Sequence, residues 1–387
     1  MNARKKSPQA ASKRSAKPSE KTIRYAVVGL GYFAQNAVLP AFSHASTNSR
    51  LAALVSDDEV KLRKLGKKYG VEKLYTYSEF PQLLKSGEID AAYLVLPNDM
   101  HREYTVEAVK AGIHVLCEKP MAVHERECAE MIRAANEHHA KLMIAYRLHM
   151  EEATLKAIGE IRSGRIGEPR FINSAFSMQV KEGNIRVQSD HGGGPVFDLG
   201  VYCINAARYL FRAEPYEVMA SSSSREGDPR FEEVEEMTSA ILRFPGDRQA
   251  TFTCSFGAAD ASWFSVVGTK GNLCLDQAYD YSFPPSLEIT VDGKTRTKTF
   301  GKKDQVAGEI LYFSECILKD KQPEPSGLEG LADVRIINAV LESARKGKPV
   351  KIEQVKKPAR PNKDMQKSRP PVTTKPELIH AEPPTQH

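Results

Sequence analysis

The sequence predicts a two-domain α/β chain, a doubly wound parallel sheet followed by a large, open and mainly antiparallel sheet. Three observations predict it. Residues 23–145 alternate short apolar runs with helical patterns, the rhythm of βαβ units. A Gly-rich turn follows the first apolar run and opens a helix. Beyond 169 the pattern changes to apolar/polar alternation broken by turn residues, as in antiparallel strands with one buried face.

The elements follow in order. Residues 23–28 read as a strand, then the turn and a helix to about 41. A strand at 51–55 leads to a charged helix at 58–69 that Gly70 stops, a short strand at 71–75 and a helix at 78–85. Strands at 91–96, 114–117 and 142–145 alternate with helices at 101–111 and 123–138. The second half has helices at 151–163 and near 198–211, and alternating runs at 169–180, 216–223, 237–244, 249–256, 263–268, 271–276 and 287–291. Turns such as Pro245-Gly246-Asp247 separate those runs, and helices at 305–319 and 328–346 close the body.

Charge is uneven. The net +6 of the chain is matched by +6 in residues 1–22 alone, and residues 354–387 add +4, which leaves the body at −4. Tracking a nucleic acid needs clustered positive charge, so the body is not built for one. The arm 1–22 has no hydrophobic periodicity and is expected to be disordered. The end from 354 carries seven of the 23 prolines and is expected to be an extended, disordered tail. The domains are thus expected at 23–145 and 146–353. No apolar run of about 18 residues exists, so no membrane span is expected. The six cysteines are scattered, without a C-x-x-C pair, which suits reduced thiols rather than disulfides or a metal site. The N-terminus lacks an apolar signal segment, and a cytoplasmic location is expected.

The turn after the first strand reads Gly29-Leu30-Gly31-Tyr32-Phe33-Ala34, the G-x-G-x-x-A pattern of a Rossmann dinucleotide-binding domain in its proper strand–helix context. The second strand ends in Ser56, with Lys61 beyond it, where an NAD site would place a carboxylate. That favours the 2′-phosphate of NADP, with NAD possible because Asp57 and Asp58 stand close by. Later strands end in Leu96-Pro97-Asn98-Asp99-Met100-His101 and Cys117-Glu118-Lys119-Pro120. By position alone, Lys119 fits a cleft lysine and a solvated strand-end lysine equally. A stretch of three glycines, 192–194, precedes Asp198 and Tyr202, which share one helix face, with Asn205 and Arg208 near that stripe. Alone, that pair also fits a helix cap and a core phenol.

Taken in order, G-x-G-x-x-A, Leu-Pro-Asn-x-x-His, Glu-Lys-Pro, Tyr146-Arg147 and Gly-Gly-Gly-x-x-x-Asp-x-Gly-x-Tyr resemble the Gfo/Idh/MocA oxidoreductase family, over about 22–350. The likeness is to its glucose–fructose oxidoreductase and NADP-dependent sugar dehydrogenase branch. That branch's Trp-Arg before the glycines is here Ile185-Arg186, so its aromatic lid is missing, and its twin-arginine leader is absent. The resemblance implies hydride transfer between NADP(H) and a sugar or sugar-derived polyol, an aldose such as glucose or xylose first. A nicotinamide-dependent glycoside hydrolase and a non-catalytic dinucleotide-binding regulator are the alternatives. It further implies cofactor contacts from Gly29, Gly31, Tyr32, Phe33, Ser56, Lys61, Leu96, Pro97, Asn98, His101, Glu118, Lys119 and Arg147. Lys119, Asp198 and Tyr202 would be catalytic, with Tyr202 as proton acceptor. Arg186 would join them in holding the sugar, and Asn98 and His101 would flank the nicotinamide. No metal is implied. In relatives the outer face of the second sheet packs on another subunit, and the alternation in 237–276, with apolar residues on both faces (Phe252, Phe256, Trp263 and Val266), fits that, so a homodimer or homotetramer is expected.

Overall fold

The computed structural model describes residues 22–356, 359–373 and 376–385, so nearly all of the expected N-terminal arm lies outside the described residues. Within them, β1 (Ile23–Val28), β2 (Ser49–Val55), β3 (Lys73–Tyr75), β4 (Ala91–Leu94), β5 (His114–Cys117) and β6 (Leu142–Ile144) form a parallel sheet in the order 3-2-1-4-5-6. These strands are short and almost wholly apolar because helices cover both faces. The strand order reverses between β1 and β4, which opens a crevice at their carboxyl ends. A π-helical turn, Ala34–Val38, leads into α1 (Leu39–His44). The crossovers that follow are α2 (Glu59–Tyr69), α3 (Phe80–Lys85), α4 (His101–Lys110) and α5 (Glu125–Glu137).

After α6 (Glu152–Arg162) comes a second sheet of nine strands among the described residues. Its members are β7 (Pro169–Ser177), β8 (Glu217–Ser223), β9 (Met237–Phe244), β10 (Arg248–Ser255), β11 (Ala261–Gly268), β12 (Gly271–Asp276), β13 (Ser286–Val291), β14 (Lys294–Thr299) and β15 (Val350–Lys351). Every neighbouring pair is antiparallel except β7 with β10. The inner face packs on α6, α7 (Val201–Phe211) and α9 (Gly327–Lys346). Alternation along β9 shows the rule: Thr238, Ala240, Leu242 and Phe244 point inward, and Ile241 and Arg243 outward. Of the apolar residues expected on the two faces, Phe252, Phe256 and Val266 fill the inner core. The outer face carries Trp263, Phe171 and Ile241, the last two more than two-fifths exposed. No alternation predicts β14, because all six of its residues are polar and exposed. It is an edge strand, where charge discourages pairing with other chains.

Two features tie the halves together. Helix α8 (Gln305–Leu318) follows β14 of the second sheet in sequence but packs on the first sheet, with Val306, Ile310 and Phe313 in one core with Tyr25 and Phe42. The C-terminal segment, expected to be disordered, is extended as its prolines require, yet it is seated on the body. Met365 and Ile379 are buried, the Lys367 N–H donates to the Met150 carbonyl, and Arg369 Nε donates to the His44 carbonyl.

Candidate active site

The turn after β1 requires its first glycine. Gly29 has φ +94°, and a Cβ there would stand 2.2 Å from the Val95 carbonyl oxygen beyond β4. At Gly31 a Cβ would meet nothing within 4 Å, so the start of the helix faces open space in the cleft. A helix N-terminus left bare in this way fits a pyrophosphate. Tyr32, Phe33, Leu96, Pro97 and Glu118 line the same cleft, which encloses about 1270 Å³.

At the end of β2, Ser56 is buried and Lys61 lies on the cleft wall. The two acids that could have gripped a ribose diol are engaged elsewhere. Asp57 accepts from the Tyr77 N–H at 2.9 Å. Asp58 caps α2 by accepting the Lys61 N–H at 3.0 Å, and its second oxygen is 3.8 Å from Lys61 Nζ. The donors left at this point, a hydroxyl and an ammonium, fit a 2′-phosphate.

The other end of the cleft centres on Asp198. It sits in a π-helical turn, Val196–Gly200, that runs into α7. Lys119, two residues past β5, donates from Nζ to the Asp198 carbonyl and to Oδ1, both at 2.9 Å. Arg186 Nε donates to Oδ2 at 2.8 Å. Burial opposes ionisation of Asp198, but Lys119 and Arg186 outweigh it and hold the carboxyl well below the usual carboxylate range. Burial likewise opposes the charge on Lys119, and Asp198 outweighs it, so the ammonium is held above its ordinary value.

Tyr202 stands one turn on, in the first turn of α7, with its ring packed by Phe176 at 5.4 Å and Tyr279 at 6.0 Å. Lys119 Nζ lies 4.8 Å from the ring centroid, and Arg147 Nη2 donates to the hydroxyl at 3.2 Å. The phenol therefore sits between two cations. Arg147 is buried and is fixed by further bonds to Gln305 Oε1 and the Tyr279 carbonyl.

Glycines let the loop that carries Arg186 close on this site. A Cβ on Gly193 would stand 2.6 Å from the carbonyls of Arg186 and Gln188, and the Gly192 carbonyl accepts from Asn98 Nδ2 at 2.8 Å. Asn98 thereby joins the end of β4 to the second domain.

Three expected residues stand apart. His101 is fully buried and does not line the cleft. Its ring lies between the Leu96 and Pro120 carbonyls, 3.0 Å from each, and burial pushes its pKa down. It braces the two loops that carry Asn98 and Lys119 rather than flanking a nicotinamide. Asn205 and Arg208 turn inward. Arg208 is wholly buried and pairs with Glu214, Glu329 and Asp333, which pins the far end of α7 to α9.

Composition and spacing gave no sign of Gln305, Tyr279 or Glu309 on the cleft wall. An acid inside the apolar run 306–313 of α8 was the available signal for Glu309. It faces Glu118 across the Tyr93 hydroxyl, which donates to Glu118 Oε1 at 2.8 Å. Burial pushes both carboxyls up, and Glu118 pushes Glu309 further.

A cleft that cradles phosphates at one end and holds a phenol between two cations at the other defines the class of nicotinamide-dependent oxidoreductases. Residues 23–146 match the model of the oxidoreductase family with an NAD-binding Rossmann fold, and residues 154–274 match the GFO/IDH/MocA C-terminal domain. The chain belongs to the Gfo/Idh/MocA family. It is 31% identical over 342 residues to the NADP(+)-dependent D-xylose 1-dehydrogenase of Haloarcula marismortui, covering 87% of this chain and 94% of that protein. The crystal structure of aldose–aldose oxidoreductase from Caulobacter crescentus, complexed with glycerol, superposes with a TM-score of 0.82 at 34% identity, covering 86% of this chain and all of that one. A 3-ketoreductase from Actinomadura kijaniata, solved with NADP and TDP-benzene, gives a TM-score of 0.76 at 26% identity over 84% of this chain and 98% of that one.

Replacing Lys61 tests the phosphate end. Lys61→Ala is expected to raise the KM for NADP by about tenfold, the loss of a charge-assisted contact, with little change for NAD. Steady-state kinetics with both nucleotides decide it, and an equal loss for both contradicts the assignment.

Proposed function

We propose that the protein is an NADP(H)-dependent oxidoreductase that moves hydride between the nicotinamide and a CH–OH carbon of a sugar, an aldose such as xylose or glucose first. The observation that carries this is the Tyr202 phenol held between Lys119 and Arg147 at the inner end of a dinucleotide cleft. The sugar substrates named for relatives in xylose and aldose–aldose oxidation support the substrate class.

The bound nicotinamide supplies the hydride acceptor or donor. The chain supplies the proton chemistry. In oxidation, the Tyr202 oxygen takes the proton of the reacting hydroxyl; in reduction it returns one to the carbonyl. Lys119 and Arg147 stabilise the phenolate through that cycle. Asp198 keeps Lys119 charged and fixes its Nζ over the Tyr202 ring. Asp198 and Arg186, both partly exposed to the cleft, offer an acceptor and donors to sugar hydroxyls.

A homo-oligomer formed through the outer face of the second sheet accompanies this reading, since the large apolar side chains of Phe171, Ile241 and Trp263 stand on that face. A cytoplasmic location fits the six cysteines, none of which is paired.

Turnover of a panel of aldoses and ketoses, followed by nicotinamide absorbance, tests the activity; a panel with no substrate contradicts it. Lys119→Ala and Tyr202→Phe are each expected to lower kcat about 10²-fold or more while the circular dichroism spectrum is kept. Near-normal kcat in either variant removes that residue from the mechanism. In analytical ultracentrifugation, Phe171→Glu with Ile241→Glu is expected to convert an oligomer to a monomer, and a monomeric parent protein contradicts the interface.

A further inference from the structure

Residues 376–385 lie over the nucleotide end of the cleft and are clasped there at two points. The first is Gln35, four residues past Gly31. Its buried amide donates from Nε2 to the carbonyls of Leu30 and Ile379, both at 2.9 Å, and accepts the Ile379 N–H at 2.8 Å. Both amide N–H donors and the carbonyl are thereby used, and two of the three bonds go to one residue of the C-terminal segment. Ile379 itself is buried against the first domain.

The second point is Asp58, which caps the helix that presents Lys61. His380 Nδ1 lies 2.8 Å from its Oδ2. The two clasps thus border the phosphate turn and the Ser56–Lys61 loop, the places that fit a pyrophosphate and a 2′-phosphate. The segment then crosses to the other domain. The Lys181 N–H donates to the Pro384 carbonyl at 2.9 Å, and Thr385 forms an antiparallel bridge with Val180. Pro376, Glu382, Pro384 and Thr385 line the cleft. Prolines hold such a segment extended in the free state too, which lowers the entropy cost of seating it.

We propose that residues 376–385 are part of the dinucleotide site, a strap over its phosphate and adenosine-ribose end that keeps NADP(H) bound from one turnover to the next. The strap joins two domains across the mouth of the cleft, so nucleotide exchange requires the Gln35, Asp58 and Lys181 contacts to open together. The His380 ring, held on Asp58, borders the place beside Ser56 and Lys61 where a 2′-phosphate would sit. The groups facing it there are Asp58, its partner, and Lys61. This inference rests on the cofactor assignment of the proposed function but needs no sugar chemistry.

Release of NADPH, followed by its fluorescence after dilution into excess NADP, is the test. The full-length protein is expected to carry NADPH through desalting. Ile379→Asp is expected to release it about tenfold faster or more, with the change in the dissociation rate, and Ile379→Val to match the parent. A parent chain that releases NADPH as fast as Ile379→Asp overturns the strap. Should Ile379→Asp not fold, a Lys181→Cys/Pro384→Cys chain keeps the question answerable. Release is expected to slow when that pair is oxidised and to recover with reductant; equal rates in both states overturn the proposal. Because no sugar is added, inactivity towards every sugar would sink the functional reading and leave this result untouched.

Discussion

The arrangement of the site depends on one carboxylate. Asp198 spends both side-chain oxygens and its backbone carbonyl on two cations from different parts of the chain: Lys119, beyond the fifth strand of the first sheet, and Arg186, on a loop of the second domain. Its charge offsets theirs, so two cations can share a partly enclosed space with the Arg147 guanidinium nearby. It also sets where the Lys119 ammonium stands, over the Tyr202 ring rather than in solvent. Without that charge, Lys119 would face desolvation with only Tyr202 and Glu118 left to favour its protonated form.

Backbone features far from the chemistry hold Asp198 in place. The glycines at 192–194 allow the Arg186 loop to fold back on itself and touch Asn98. The helix that begins at Asp198 and Tyr202 is pinned at its other end by Arg208 among three buried carboxylates. Removing one partner of such a buried cluster costs about 3–5 kcal/mol, so this end is rigid by construction. His101 braces the loops on the opposite wall. The cluster around Asp198 is therefore assembled where three elements meet, each stiffened from behind.

Much of this was legible in the sequence, because periodicity and strand-end loops carry the information. The parallel sheet was readable from apolar runs between helical patterns, and the cleft residues from motifs at the carboxyl ends of β1, β4 and β5. What escaped was long-range or weakly patterned. β14 is all polar, so no alternation marks it. His101 sits in a motif yet is buried, and no local pattern distinguishes a brace from a ligand. Composition marks the C-terminal segment as unable to build a core, which is true; it does not reveal that Gln35 and Asp58 provide a seat for it. Gln305 and Glu309 reach the cleft because α8, after β14, returns to the first domain, and Tyr279 reaches it from the connection between β12 and β13.

The pH profile of kcat/KM for Asp198→Asn tests the role of that carboxylate most directly. The amide keeps one acceptor oxygen and the backbone carbonyl can still accept from Lys119, but the side chain carries no charge. Since Asp198 is what holds Lys119 above its ordinary pKa against burial, the ammonium should lose its proton at a lower pH in the variant. The alkaline limb is then expected to move down by about one unit or more, with a fall in kcat/KM at its maximum. An alkaline limb that stays where it is in the parent enzyme would contradict the claim that Asp198 sets the charge on Lys119.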